Sequence, residues 1–335
     1  MDSTTAQRRA RALIRAHYLS KRDANLHASA GRERRHPGKS TESFIAVKKF
    51  VAALAVLPLV VGLSACGSSN TAQDDKHIKI GVVGTESVNQ VLKDEAAKQG
   101  ITIEYVEFSA YTEPNPSLVS GDTQMNRFQH IPYLANYNVS NDKDLEIVGP
   151  TVIYPMALFS KKHKSLSDIP SGGTIAIPND TVNEARALNL LEANGLVKFK
   201  KDDIYLPKVD DVDTSASKVK VTTLDATQTV TAMDSVDASV INNDFIKDAG
   251  LEPKNALAQD DPKNPKALKY VNLFVAQKGN ADKETYKKVV EIYHTEPVQK
   301  VVQEETKNTA VEVSASTEEL RDLLKKEQEN IKNQK

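Results

Sequence analysis

Residues 175–188 read IAIPNDTVNEARAL, and an earlier stretch, residues 80–90, reads IGVVGTESVNQ. Both carry one local plan: an apolar run rich in Ile and Val, a short turn, and the opening of a helix. Ser87 precedes Gln90 by three positions and Thr181 precedes Glu184 by three. At that spacing a hydroxyl can cap the open N–H groups of a helix while the Gln or Glu side chain reaches back. Each helix then runs to a glycine, Gly100 or Gly195, suited to the left-handed turn that closes a helix. Strand, turn and helix, given twice, predict two α/β lobes opening with the same unit. Their helix N-termini would face a shared cleft, because open α/β sheets bind ligands beyond the C-terminal ends of their strands.

The rest of the chain alternates in the same way. HIKIGVV (77–83), ITIEYVEF (101–108), LEIVG (145–149), GTIAIP (173–178), VKVTTL (219–224), DASVIN (237–242) and YVNLFVAQ (270–277) read as strands. Helical stretches lie between several of them, including SVNQVLKDEAAKQ (87–99), a short helix from Pro114 to Gly121, and one opening at Pro132 after an extended MNRFQ. Such alternation predicts α/β architecture with mixed, largely parallel sheets.

Charge is balanced overall, with 44 Lys and Arg against 45 Asp and Glu, but unevenly placed. Residues 1–46 hold ten basic and four acidic side chains without apolar periodicity. Then comes VKKFVAALAVLPLVVGLSACGSSN (47–70), with a basic pair, Lys48 and Lys49, and an apolar stretch from Phe50 to Leu63. That stretch is short for a membrane span and is followed by small residues, so it reads as a secretory signal. A signal begins at its basic end, which makes Val47 the expected start and residues 1–46 a non-native or disordered extension. The segment Leu63-Ser64-Ala65-Cys66 holds the single cysteine of the chain. It resembles the lipobox of bacterial lipoproteins, which implies lipidation of Cys66 and, with two acyl chains, a stable membrane anchor. One cysteine leaves no disulfide framework. Residues 66–76 then form the lipidated end and a small, polar tether. Beyond residue 65 the chain carries 32 basic and 41 acidic side chains, a net charge of −9 that argues against nucleic acid as a partner.

Motifs of catalysis are missing. HExxH, GxxxxGK[ST] and GxSxG do not occur, and GVVG at 81–84 lacks the spacing of a dinucleotide fingerprint. Asp210, Asp211 and Asp213 lack the Gly and Glu of a calcium loop. His77, His130, His163 and His294 are scattered and spell neither a metal set nor a triad. The sequence therefore predicts no enzyme, no metal and no cofactor. What remains is polar residues at strand ends and helix starts. Arg186 falls in the first two turns of the helix that Thr181 is expected to cap, where open N–H groups, the helix dipole and a guanidinium fork favour a carboxylate. The bland alternative is a surface Arg paired with Glu192. Asn242 ends the run ASVI and Asn272 lies within YVNLFV; an amide in an apolar run is either a structural hydrogen-bonder or a ligand contact. Tyr111, after a strand, is packing or cleft wall.

EFSAYTEPN (107–115), FQHIPYL (128–134), YPMALFSKK (154–162), IPND-x-x-NE-x-RAL (177–188), VDASVIN (236–242) and YVNLFV (270–275), in this order, resemble the NlpA-type lipoproteins. These are methionine-binding substrate-binding proteins of ABC methionine importers. The resemblance implies a two-lobed type II periplasmic-binding-protein fold with a ligand cleft between the lobes, in which Arg186 holds the carboxylate of a free amino acid. It implies that Asn242 and Asn272 take the ligand's carboxylate and amino groups, and that Tyr111, Phe128, His130 and Tyr133 enclose the thioether. Asn183 and Glu184 would flank the carboxylate end. A polarizable thioether suits an aromatic enclosure. The turn VVGTES, Gln124 and Arg127 depart from the family pattern, and Arg127 is the expected place for a shift in specificity. The expected organisation is lobe 1 over residues 77–154, lobe 2 over 155–243, and a return to lobe 1 over 244–335. The expected role is capture of methionine or a close derivative outside the cell membrane, lipid-anchored, for an ABC permease and its ATPase. Two rivals are an enzyme of the same fold with His130 as general base and an adhesin-like surface lipoprotein.

Overall fold

The computed structural model describes residues 76–84, 86–247 and 249–334. The extension 1–46, the signal segment 47–65, Cys66 and most of the tether lie outside the described residues.

Among the described residues, eleven strands fall into two sheets. The first contains β1 (His77–Val83), β2 (Thr102–Phe108), β3 (Met125–His130) and β4 (Glu146–Ile153). The second contains β5 (Ala157–Phe159), β6 (Thr174–Pro178), β7 (Lys220–Leu224), β8 (Ala238–Ile241) and β9 (Ala258–Gln259). The chain then returns to the first sheet with β10 (Val271–Ala276) and β11 (Val311–Glu312). The orders are β11-β4-β10-β3-β1-β2 and β7-β6-β8-β5-β9. The half of each sheet built from strand–helix units is parallel: β1 with β2 and β3, and β6 with β7 and β8. Strands next to the crossings between lobes run the other way: β10 is antiparallel to β3 and β4, and β5 to β8 and β9. Because β9 pairs with β5, the second sheet keeps the chain until Gln259, beyond residue 243 where the sequence placed the return. The sequence reading missed β5, β9 and β11, which have three, two and two residues and show no usable period.

Helices cover both faces. On the first sheet, α1 (Ser87–Lys98) buries Val88, Leu92 and Ala96, spaced four apart so that they fall on one side. Two short helices, α2 (Pro114–Ser120) and α3 (Ile131–Asn141), flank β3. On the second sheet, α4 (Thr181–Ala193) follows β6, and the four-residue α5 (Thr229–Ala232) precedes β8. The chain ends with α6 (Glu284–Tyr293), α7 (Glu296–Glu305) and α8 (Thr317–Gln334), again on the first sheet. The core under α1, α6 and α7 includes Ile78, Ile80, Val289 and Tyr293, and the one under α3 and α8 includes Leu134, Leu273, Leu320 and Ile331. The second lobe packs Ile175, Ile177, Leu188 and Leu191. Among the described residues no helix is long and apolar enough to cross a membrane.

Neither predicted capping box forms. The N-cap of α4 is Asp180, one residue earlier, whose carboxylate accepts the Asn183 N–H at 3.0 Å. The carboxylate of Glu184 instead accepts the Val209 N–H at 2.8 Å. At α1 the N-cap is Glu86 and its side chain caps nothing; Glu305, from α7, accepts the N–H groups of Ser87 and Val88 at 2.7 and 3.2 Å. A carboxylate outbids a hydroxyl for helix N–H groups because it adds charge against the positive end of the dipole. The glycine stops hold, with Gly100 and Gly195 at φ 74° and 69°.

Two crossings join the lobes, Tyr154–Met156 between β4 and β5 and residues 260–270 between β9 and β10. Close packing of α6 on β4 fixes one side of the first crossing. A Cβ added at Gly149 would lie 2.6 Å from Cγ1 of Val290. Gly149→Ala is expected to destabilise the chain by about 1–3 kcal/mol, and Val290→Ala in the same molecule to recover part of the loss. Thermal denaturation of the single and double variants measures both effects.

Candidate functional site

β3 is buried along its whole length and ends in the first turn of α3. Phe128 and His130, two apart, project from the same face of the strand. His130 is the N-cap of α3, its Nδ1 accepting the Tyr133 N–H at 3.3 Å, so the cap points Tyr133 back beside the two residues. Tyr111 completes an aromatic wall, with ring centroids 6.0 Å from Phe128 and 6.1 Å from Tyr133, and Phe128 and Tyr133 meet edge-on at 5.6 Å. The Tyr133 hydroxyl donates to the Tyr111 carbonyl at 3.0 Å, which fixes the loop after β2 against α3.

From the second lobe come Asn183 and Arg186 on α4 and Asn242 at the end of β8. Asn272, on β10, stands opposite His130 in the register. All eight residues predicted for the site line one cavity between the sheets. Gln129, Tyr154, Pro155, Met156, Asn243 and Asp244 also line it and were not predicted. Gln129 lies within FQHIPYL and Tyr154, Pro155 and Met156 open YPMALFSKK, both motifs of the resemblance; Asn243 and Asp244 have only their position in the turn after β8.

Arg186 is 6% exposed and is not the surface partner of Glu192. Its Nε donates to Asp260 at 2.6 Å, its Nη2 donates to the Tyr154 carbonyl at 2.9 Å, and its guanidinium lies 4.1 Å above the Tyr270 ring. Two of its five N–H groups are used in this way, and a fork remains for an anion. Oδ1 of Asn242 is buried without a protein partner and lines the cavity. An acceptor left so costs about 1–3 kcal/mol unless a donor arrives.

The lobes touch across the cavity. Nε2 of His130 meets Oδ1 of Asn183 at 3.2 Å; since Nδ1 accepts the helix N–H, Nε2 carries the proton and donates. The Tyr111 hydroxyl donates to Asp244 at 2.5 Å. Burial and the negative charge of Glu86 push the Asp244 carboxyl up to about 7. Burial, reinforced by the charge of Arg186, pulls the His130 imidazole down to about 3.

Two expectations change, for Arg127 and Glu184. Arg127 does not line the cavity; it is buried on the α1 side of the sheet, ion-paired with Glu86 and donating to Asn89 at 2.6 Å. Alternation along β3 turns it away from Phe128 and His130. Gln124 likewise serves the fold, accepting the Lys79 N–H at 2.9 Å. Glu184 is outside the cavity lining because its carboxylate is held by Val209.

The sequence profile of the NlpA lipoproteins matches residues 78–314. The chain belongs to the NlpA lipoprotein family. It is 37% identical over 259 residues to the D-methionine-binding lipoprotein MetQ of Escherichia coli (strain K12), a match spanning 75% of this chain and 93% of that protein. The membrane lipoprotein TpN32 of Treponema pallidum is 35% identical over 228 residues, 67% of this chain and 82% of its own length. Among solved structures, a nutrient-binding protein from Burkholderia cenocepacia bound to methionine is 36% identical, with a TM-score of 0.66 over 70% of this chain and 98% of that one.

In this NlpA lipoprotein the depressed His130 has a consequence for stability. The unfolded chain protonates this histidine below about 6.5, whereas the native chain does so only near 3. Unfolded chains therefore bind more protons in between, and His130 lowers stability progressively as pH falls through that window. Asp244, raised in the native state, acts with the opposite sign, so only a comparison isolates the histidine. His130→Asn keeps a side chain suited to the N-cap. Its stability relative to wild type is expected to improve by up to about 2–3 kcal/mol between pH 7 and pH 4.5. Urea denaturation at the two pH values checks this; a difference independent of pH would contradict it.

Proposed function

We propose that the chain captures methionine, or a close derivative, in the cavity between its lobes and delivers it to an ABC permease driven by an ATPase. The observation that carries this reading is the pairing of a buried guanidinium fork with an aromatic wall in one small cavity. Arg186 offers the fork to a carboxylate, Oδ1 of Asn242 offers an unfilled acceptor to an ammonium, and Asn272, opposite His130 in the register, lines the same cavity. Tyr111, Phe128 and Tyr133 offer ring edges and faces to a thioether. Relatives whose names record methionine binding support the choice of ligand.

In this reading residues 47–65 are a lipoprotein signal, Cys66 is lipidated, and the protein is held at the outer or periplasmic side of the cell membrane. Residues 77–154 and the C-terminal part make one lobe, and the middle of the chain makes the other. Ligand bridges the two and stabilises the closed arrangement by its differential affinity for it. The enzyme alternative finds little support in His130. Both ring nitrogens are engaged, with Tyr133 and Asn183, and its depressed pKa makes it a poor proton acceptor at neutral pH.

Titration calorimetry tests the reading. Wild-type protein is expected to bind methionine tightly, and Arg186→Ala to lose on the order of 10²–10³-fold in affinity, the effect of removing one partner of a buried charge pair. No heat with methionine of either hand, its sulfoxide or a methionine dipeptide would refute it. A second variant probes the contact across the cavity. Tyr111→Phe keeps the ring and removes the bond to Asp244. It is expected to weaken binding by about 2–10-fold, the net worth of one hydrogen bond, mainly through faster dissociation in stopped-flow measurements.

A further inference from the structure

The groups that hold Arg186 come from the two segments crossing between the lobes. Tyr154, whose carbonyl accepts from Nη2, lies in the first crossing; Asp260 and Tyr270 begin and end the second. Asp260 also ties these crossings to each other. Its Oδ1 accepts the Met156 N–H at 2.8 Å, and its own N–H donates to the Met156 carbonyl at 3.1 Å. One carboxylate thus spends one oxygen on the first crossing and the other on the guanidinium. Asp260 is not part of the cavity lining.

We propose that Asp260 is the positioning residue of the Arg186 clamp, locking the guanidinium so that its remaining fork faces the ligand carboxylate and fixing that fork to both interlobe crossings. The proposal rests on the amino-acid reading of the cavity and adds to it a residue that lies outside the cavity lining. Its physical basis is preorganisation. A long, flexible Arg side chain carries about 2 kcal/mol of rotamer entropy, and a fork already held on its Nε side loses less on binding. Tyr270 holds the face of the same group.

Charge alone predicts the reverse. Asp260 competes with the ligand carboxylate for the guanidinium, so neutralising it would strengthen the pull of Arg186 on an anion. The sign of one measured quantity therefore separates positioning from competition. That quantity is the preference for methionine over methioninamide, which keeps the side chain and ammonium and lacks the carboxylate. Calorimetry on full-length wild type, Asp260→Asn and Tyr270→Leu gives it directly. The wild type is expected to prefer methionine, and each variant to lose about tenfold of that preference, with methioninamide affinity changing by less than about twofold. Tyr270→Leu leaves every charge in place, so its loss cannot come from competition, and it keeps the test open if Asp260→Asn folds poorly. A preference unchanged or enlarged in the variants, or equal losses for both ligands, overturns the proposal. A wild type that binds neither compound is a different result, which refutes the methionine reading itself.

Discussion

A guanidinium taken out of water must meet an opposite charge and acceptors for its N–H groups, or the fold that buries it is lost. Arg186 sets that requirement here, because α4 carries it inward from the second sheet and leaves it 6% exposed. The requirement is met by Asp260, by the Tyr154 carbonyl and by the Tyr270 ring, none of them close to Arg186 in sequence. Since these partners sit on the two chain crossings, the relation between the sheets and the placement of the cation are one problem with one solution. The cavity follows from it, its lining made of that cation, aromatic rings and a buried acceptor at Asn242.

The lobes are also fastened at their edges, and the fastenings differ in strength. On one side Lys247, from the second lobe, pairs with Glu305, the residue that caps α1. The Lys247 side chain is half exposed, so the pair is worth little by itself, about 0–1 kcal/mol. On the other side Tyr205 reaches α8 and donates to the buried Glu327, with Leu206 packed against the same core. Between the two, Tyr111 bonds Asp244. An arrangement held by two bonds across the cavity, Tyr111 to Asp244 and His130 to Asn183, with two edge contacts and packing, can open at modest cost. A ligand touching both lobes, with partners that only it can supply, would tip such a balance.

The strand–turn–helix units were legible from Ile and Val runs at period two followed by helical spacing, and the glycine stops were read at the right positions. The cap assignments failed because a hydroxyl three residues before Gln or Glu says nothing about a competing carboxylate elsewhere. Asp180 is adjacent and could have been preferred; Glu305 is joined to Ser87 only by the fold. The eight predicted site residues came together because they sit at strand ends and helix starts, where the topology converges. Asp260 was not legible, since it opens an irregular, proline-containing segment without period, and Tyr270 was read only as the first residue of a strand. Their importance depends on what stands opposite them. Arg127 misled for a related reason: an unusual residue in β3 suggested the cleft, whereas alternation puts its side chain on the other face, against Glu86.

In the proposed reading the cleft selects a free amino acid with a thioether side chain, gripped at its carboxylate. Native mass spectrometry of protein purified without added ligand tests this most directly, because a tight receptor retains what it captured. A bound species with the mass of methionine or a close derivative is expected, released on unfolding and absent from the Arg186→Ala variant. Wild-type protein that carries no such species, and acquires none when methionine is added, would contradict it.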